Sequence, residues 1–180
     1  MRVIAGQFRS RKLKSVSGLA VRPTPDRLRE SLFSILKAKI SGARFVDAYA
    51  GSGAVGIEAL SRGAKHVIFI ERNRLALAVI RDNLASLGIG NHVTVLHGRA
   101  ADFLREQSAD IAFFDPPYER IEEYRDSLLA LSAAHCPYAI AQHASRVTLE
   151  ERYANLRKGR VLKQGDNSLS FFEGVWEEQG

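Results

Sequence analysis

Apolar residues fall along this chain in short continuous runs, separated by stretches in which they recur every three or four positions. The runs cover residues 44–49, 66–71, 92–97, 110–115 and 138–142, and most are uninterrupted enough for burial on both faces of a sheet. Residues 73–87 are the clearest helical stretch: Leu77, Ile80, Leu84 and Leu87 share a face, Asn73 can cap the start, and Gly88 can end the helix in a left-handed turn. A second helix is expected from residue 54 to about residue 62. Strand runs alternating with helical segments predict an α/β domain around a parallel sheet. Ahead of the first run, Leu28, Leu32, Ile35, Leu36 and Ile40 form one helical face, with Thr24 as N-cap and Pro25 in the first helical position. Residues 24–180 then form the core of a single domain, and residues 1–23 are left as a basic N-terminal arm in which residues 3–5 and 13–16 can pair as a short hairpin. At the far end, residues 160–163 and 169–175 flank Gly165-Asp166-Asn167, which predicts a closing antiparallel hairpin.

Composition sharpens this picture at three points. The 180 residues, 46% of them apolar, can bury one sizeable core. No apolar run reaches the roughly 18 residues of a membrane span and no secretion signal opens the chain, so a soluble cytoplasmic protein is expected. The lone Cys136 cannot form an internal disulfide and reads as buried filler; no Cys or His cluster has zinc-ligand spacing, so no metal is expected. The net charge of +6 is uneven: the first 45 residues hold eleven Lys and Arg against Asp26 and Glu30, leaving −3 for the remainder. Arg9, Arg11, Lys12 and Lys14 form a cluster suited to phosphates, since each neutralised phosphate releases counterions; a solvated charged face is the plainer reading.

The segment Val46-Asp47-Ala48-Tyr49-Ala50-Gly51-Ser52-Gly53-Ala54-Val55-Gly56 passes from a strand run into a helix, and its glycines permit a tight turn and close approach of backbone to a nucleotide-like ligand. Gly51, Gly53 and Gly56 also satisfy the dinucleotide pattern G-x-G-x-x-G. Asp47 discriminates, because a carboxylate just ahead of the loop repels a pyrophosphate and suits a ligand carrying an ammonium and a sulfonium. S-adenosylmethionine (SAM) is therefore the expected cofactor. Ala50, Gly51, Ser52 and Gly53 supply the loop, and Glu71, with Arg72 beside it, ends the next strand where an acid can accept from both ribose hydroxyls. Arg99 and Ala100, in the turn after the third strand, lie where adenine is expected, and no acid occupies that turn.

Asp115-Pro116-Pro117-Tyr118 ends the strand run 110–115 at the sheet edge where such folds bind ligands. The diproline fixes the carbonyls of Asp115 and Pro116 as acceptors for an exocyclic amine, which can orient the nitrogen and free its lone pair for attack on the sulfonium methyl. Tyr118 is placed to stack on a base taken out of its helix or loop, with no need of its hydroxyl.

On these motifs the chain resembles the bacterial 16S ribosomal RNA guanine-N2 methyltransferases of the RsmD type, which are class I, Rossmann-like SAM enzymes. The resemblance covers nearly the whole length and rests on Arg2-Val-Ile-Ala-Gly, Arg22-Pro-Thr-Pro-Asp-Arg-Leu-Arg-Glu30, Asp47-Ala-Tyr-Ala-Gly-Ser-Gly-Ala54, Glu58-Ala-Leu-Ser-Arg-Gly63 and Asp115-Pro-Pro-Tyr118. It implies a seven-strand, mostly parallel sheet with a reversed C-terminal hairpin, and methylation of guanine N2 in 16S RNA within an assembling small subunit. By the same resemblance, Asp47, Gly51, Gly53, Glu71 and the Arg99-Ala100 turn hold SAM, Asp115, Pro116 and Tyr118 hold the guanine, and Arg22, Thr24 and Arg27 lie near the entrance. The chain has Gln164-Gly-Asp166 where members often carry Tyr-Gly-Asp. A monomer is expected. The alternatives are a DNA adenine-N6 or cytosine-N4 methyltransferase, a protein-glutamine methyltransferase, an NAD-dependent oxidoreductase, and a non-catalytic RNA-binding protein of the same fold; a cytosine-C5 enzyme is disfavoured because Cys136 has no activating neighbour.

Overall fold

The computed structural model describes residues 1–17 and 24–176, so Arg22 lies outside the described residues. Its elements are α1 (Asp26–Leu36), β1 (Arg44–Ala48), α2 (Ala54–Ser61), β2 (His66–Glu71), α3 (Arg74–Ser86), β3 (Val93–His97), α4 (Ala100–Leu104), β4 (Ile111–Phe114), α5 (Ile121–Ala133), β5 (Tyr138–Ala144), β6 (Arg152–Tyr153), β7 (Leu156–Gln164) and β8 (Asn167–Gly174). The strands form one sheet in the order β3-β2-β1-β4-β5-β8-β7-β6, with β3 to β5 parallel and the last three antiparallel. Each run read as a strand is one. The sheet gains an eighth strand, Arg152–Tyr153, two residues too short to show as a hydrophobic run.

Alternating side chains of the buried strands feed two layers of core. Phe45, Phe69, Phe113 and Ile140 pack with Leu28, Leu32 and Phe33 of α1 on one face. Val46, Ile68, Phe114 and Ala141 pack with Tyr124 and Leu128 of α5 on the other. Burying each of these large side chains contributes about 1.5–3 kcal/mol. Asn73 caps α3 as its type predicts, its Oδ1 accepting from Leu75 N at 2.9 Å and Ala76 N at 3.1 Å, and Gly88 follows the helix with φ +70°.

Two local expectations change. Pro25, not Thr24, occupies the cap position of α1, and no side chain caps this helix. The Thr24 hydroxyl donates instead to Gln142 Oε1 at 3.1 Å, a tertiary bond that local capping rules cannot anticipate. The N-terminal hairpin is also narrower than expected: it is a single bridge between Arg2 and Lys12, and the chain beyond it pairs with a helix. Lys14 N donates to Asn83 Oδ1 at 2.8 Å, and Asn83 Nδ2 donates to the carbonyls of Lys14 at 3.1 Å and Ser52 at 3.0 Å.

The N-terminal segment is built into the core by the Glu58-Ala-Leu-Ser-Arg-Gly63 motif. Glu58, fully buried on α2, accepts from Ile4 N at 2.8 Å and Ala5 N at 3.0 Å, while Ser61 Oγ donates to Ala5 O and accepts from Phe8 N. Arg62 donates to Glu58 at 2.7 Å, and the buried Arg29 lies 4.0 Å from it. Val3 and Leu13 are buried beside α1. No helix among the described residues is long and apolar enough to cross a membrane.

Candidate active site

Strand order reverses between β1 and β4, and in such sheets the crevice outside the carboxyl ends of those two strands is the expected ligand site. Residue parity does the rest. Asp47 on β1 lies two residues past Phe45, and Asp115, just past β4, two residues past Phe113, so both carboxylates project to the α1–α2 side of the sheet. They line one cavity of about 70 Å³ together with Tyr49, Ala50, Gly51 and Ser52 of the glycine loop, and Met1, Ser15, Val16 and Thr24 close it from above.

The glycine loop is held by the two acids expected to serve a ligand. Asp47 Oδ2 accepts from Gly56 N at 2.8 Å; Glu71 accepts from Gly51 N at 2.9 Å through one oxygen and from Asn73 N at 2.8 Å through the other. A carboxylate has about four acceptor sites, so Glu71, half-buried, retains capacity for hydroxyl donors. Gly53 has φ +78°, and a Cβ on Gly56 would sit 2.3 Å from the Phe69 ring, so α2 lies against β2 only because that position is glycine. Burial pushes the Asp47 carboxyl up to about 8, opposed by the Gly56 N–H and reinforced by the charge of Glu71. A cation arriving beside Asp47 would relieve that cost. The donor set therefore fits a cationic nucleoside.

A second, narrower recess lies past Tyr49, lined by Glu71, Arg72, Arg99, Ala100 and Glu123. Sequence reasoning missed Tyr49 and Glu123. The Tyr49 hydroxyl donates to Glu123 Oε2 at 2.6 Å, and the Arg99 guanidinium pairs with Asp126 and lies 4.0 Å from Glu123. Tyr49 has φ +59°, an uncommon conformation for a bulky residue, and it contributes to both recesses.

At the end of β4, Asp115 keeps part of its surface open to the cleft, and its carboxyl is pushed well above the ordinary range by burial and then by Asp47. Gln142, buried on β5, donates to Asp115 Oδ2 at 3.0 Å and to the Tyr118 hydroxyl at 3.3 Å, while its Oε1 accepts from Thr24. The Tyr118 hydroxyl in turn donates to Asn167 Oδ1 at 2.7 Å. The phenol is thus fixed by its hydroxyl, which the sequence reading treated as dispensable. Pro116 is buried and its carbonyl accepts from Tyr124 at 3.4 Å, so the pair of acceptors expected from Asp115 and Pro116 has one member partly engaged in the core. Pro117 is exposed. Gln142 carried a legible signal, a lone amide ending an apolar run; Asn167 read only as a turn residue.

Of the cations expected to meet phosphates, those of the N-terminal segment lie along α2 and α3. Arg11 donates to Ser86 O in the last turn of α3, Lys14 pairs with Asp82 at 2.7 Å, and Arg9 sits in the turn pinned to Ser61 at the far end of α2. Arg9 and Lys12 are exposed, and Arg27 is exposed in the first turn of α1, two residues past Pro25. No cluster of metal-ligating side chains occurs among the described residues.

Residues 1–173 match the family described as Conserved hypothetical protein 95. YlbH of Bacillus subtilis, named provisionally as an rRNA methyltransferase, is 37% identical over 96% of this chain and 98% of its own length. Ribosomal RNA small subunit methyltransferase D of Escherichia coli is 43% identical over 67% of this chain and 61% of its own length. The solved structure of the E. coli methyltransferase yhhF, also a provisional name, superposes with a TM-score of 0.82 at 33% identity, covering 98% of this chain and 99% of that one.

Proposed function

Because the chain belongs to the family described as Conserved hypothetical protein 95, the RsmD-type group, we propose that it transfers a methyl group from SAM to the exocyclic N2 of a guanine in small-subunit ribosomal RNA. The observation that carries this reading is the convergence on one cavity of Asp47 on β1 and Asp115 just past the neighbouring β4, with Tyr118 three residues beyond the second. When bound, SAM supplies an electrophilic methyl on a sulfonium. Asp47 and the loop Ala50-Gly51-Ser52-Gly53 bind its charged end, Glu71 and Arg72 its ribose, and Arg99 and Ala100 its adenine, with Asp47 acting by charge and by fixing the start of α2.

At the other end, Tyr118 stacks on the base and Asp115 accepts from the amine. Gln142 engages Asp115 Oδ2, which leaves Oδ1 for the amine hydrogen and fixes the direction in which it accepts. The free lone pair of the Pro116 carbonyl serves the second hydrogen. The proton lost from nitrogen after methylation passes to Asp115, whose raised affinity for a proton suits it to the task.

Labelled methyl transfer from SAM to small subunits lacking the modification, followed by nucleoside analysis, tests the reading. The expected product is N2-methylguanosine. N6-methyladenosine would overturn the base assignment, and absence of transfer would favour a non-catalytic RNA-binding role.

A further inference from the structure

The net charge of −3 over residues 46–180 conceals a second basic region. From residue 146 to residue 163 the chain carries Arg146, Arg152, Arg157, Lys158, Arg160 and Lys163 against Glu150 and Glu151. Two of these cations are engaged: Arg152 donates to Ala154 O, and Lys158 donates to Leu149 O and pairs with Glu151. Arg146, Arg157, Arg160 and Lys163 are exposed, and their side chains make no hydrogen bond or ion pair among the described residues. This differs from the N-terminal segment, where Arg11 and Lys14 are tied to α3.

Arg146 is the member of this set that shares a cavity with Tyr118. That cavity has a volume of about 210 Å³ and is lined by Tyr118, Ala144, Ser145, Arg146 and Asp166. Its backbone is fixed. Val147 N donates to Ala144 O at 2.9 Å, closing a four-residue turn with Ser145 and Arg146 at its centre. Ser145 N donates to Asp166 O and Ser145 Oγ donates to Gly165 O, which locks that turn to the β7–β8 hairpin. Lys163 pairs with Ser168, whose hydroxyl touches that of Ser145, so a second cation stands one strand away.

We infer that this cavity holds the sugar–phosphate of the nucleotide next to the methylated base, with Arg146 as its phosphate contact. The inference rests on the proposed stacking of the target base on Tyr118. A strand whose base stacks there must carry its neighbouring phosphate past the same ring, and Arg146 is the unpaired cation in the lining of the cavity. The lining is mostly polar, with a hydroxyl, a guanidinium and a carboxylate beside the Tyr118 ring, which suits a sugar–phosphate. Asp166, also in the lining, is an acceptor for a ribose hydroxyl.

The test is a salt titration of binding to an RNA fragment carrying the target, comparing wild type, Arg146→Ala, Arg146→Glu and the remote Lys65→Ala. Affinity for S-adenosylhomocysteine, expected to stay equal in all four, reports that the fold is intact. Loss of one single-strand phosphate contact should reduce the slope of log affinity against log salt by about 0.7 in Arg146→Ala. Affinity should fall several-fold in that variant and more than tenfold in Arg146→Glu, with Lys65→Ala unchanged. Neutralising the flanking phosphate as a methylphosphonate should weaken wild type and leave Arg146→Ala unaffected. Unchanged slopes in both Arg146 variants, with wild type binding RNA, would overturn this inference alone. A loss confined to whole subunit particles would place a protein in the cavity and overturn it too. Wild type that binds S-adenosylhomocysteine but neither the RNA fragment nor small subunits lacking the modification would overturn the proposed function along with it.

Discussion

Asp47 and Asp115 stand on neighbouring strands, face the same side of the sheet and line the same cavity, but their carboxylates are held by different kinds of partner. Asp47 is 1% exposed and accepts from a backbone amide at the start of α2. Asp115 is open to the cleft and accepts from the side chain of Gln142, which also serves Tyr118 and Thr24. A backbone partner is part of the fold and cannot move without it; a side-chain network can adjust when a substrate arrives. On the proposed function, loop geometry and cofactor charge fall to Asp47, and substrate chemistry to Asp115.

Replacing Asp115 with Ala tests the division hardest. Methyl transfer should fall by a factor on the order of 10³, the loss expected from removing a preorganised acceptor in a transition state, with S-adenosylhomocysteine affinity changed no more than a few-fold. Parallel loss of both in calorimetry and single-turnover assays would erase the distinction. Gln142→Leu should lower kcat by about 10- to 100-fold through misplacement of Asp115 and Tyr118. The Gln142 N–H favours the ionised carboxyl, so its loss raises the Asp115 pKa, and the acid limb of the kcat profile should move to higher pH. A uniform drop with an unmoved limb would reduce Gln142 to packing.

Asp47→Asn should act on pH and cofactor more than on rate. Asp47 holds its proton more tightly in the folded chain than in the unfolded one, so its contribution to stability is fully present at low pH. That contribution is lost as pH rises from about 4, the unfolded value, to about 8. The amide, which does not titrate, should flatten Tm against pH over that window and remove the gain in SAM affinity that wild type shows as Asp47 ionises. Thermal melts and calorimetry from about pH 5 to about 9 would show whether it does. Smallest should be Tyr118→Phe, which keeps the stacking ring and breaks the bond to Asn167: a few-fold loss in kcat/KM, against a much larger one for Tyr118→Ala. Equal losses would mean that the hydroxyl, not the ring, carries the role.

Runs such as 66–71 and 138–142 announced the buried strands because a strand covered on both faces must be apolar throughout, and Asn73 and Gly88 bounded α3 because caps are local chemistry. The glycine loop, Glu71 and Asp115-Pro-Pro-Tyr were legible for the same reason: a strand end in such a sheet places its own side chains at the ligand edge, and few residues are needed to know it. Only the tertiary structure could decide what crosses between elements. It turned Thr24 from a cap into a partner of Gln142, used Glu58 and Asn83 to seat the N-terminal segment, and drew the Arg9 to Lys14 cations along α2 and α3 while leaving Arg146 unpaired beside Tyr118. Polar side chains choose partners by proximity in three dimensions, at separations of up to 118 residues here, and neither periodicity nor charge counting along one dimension records that choice.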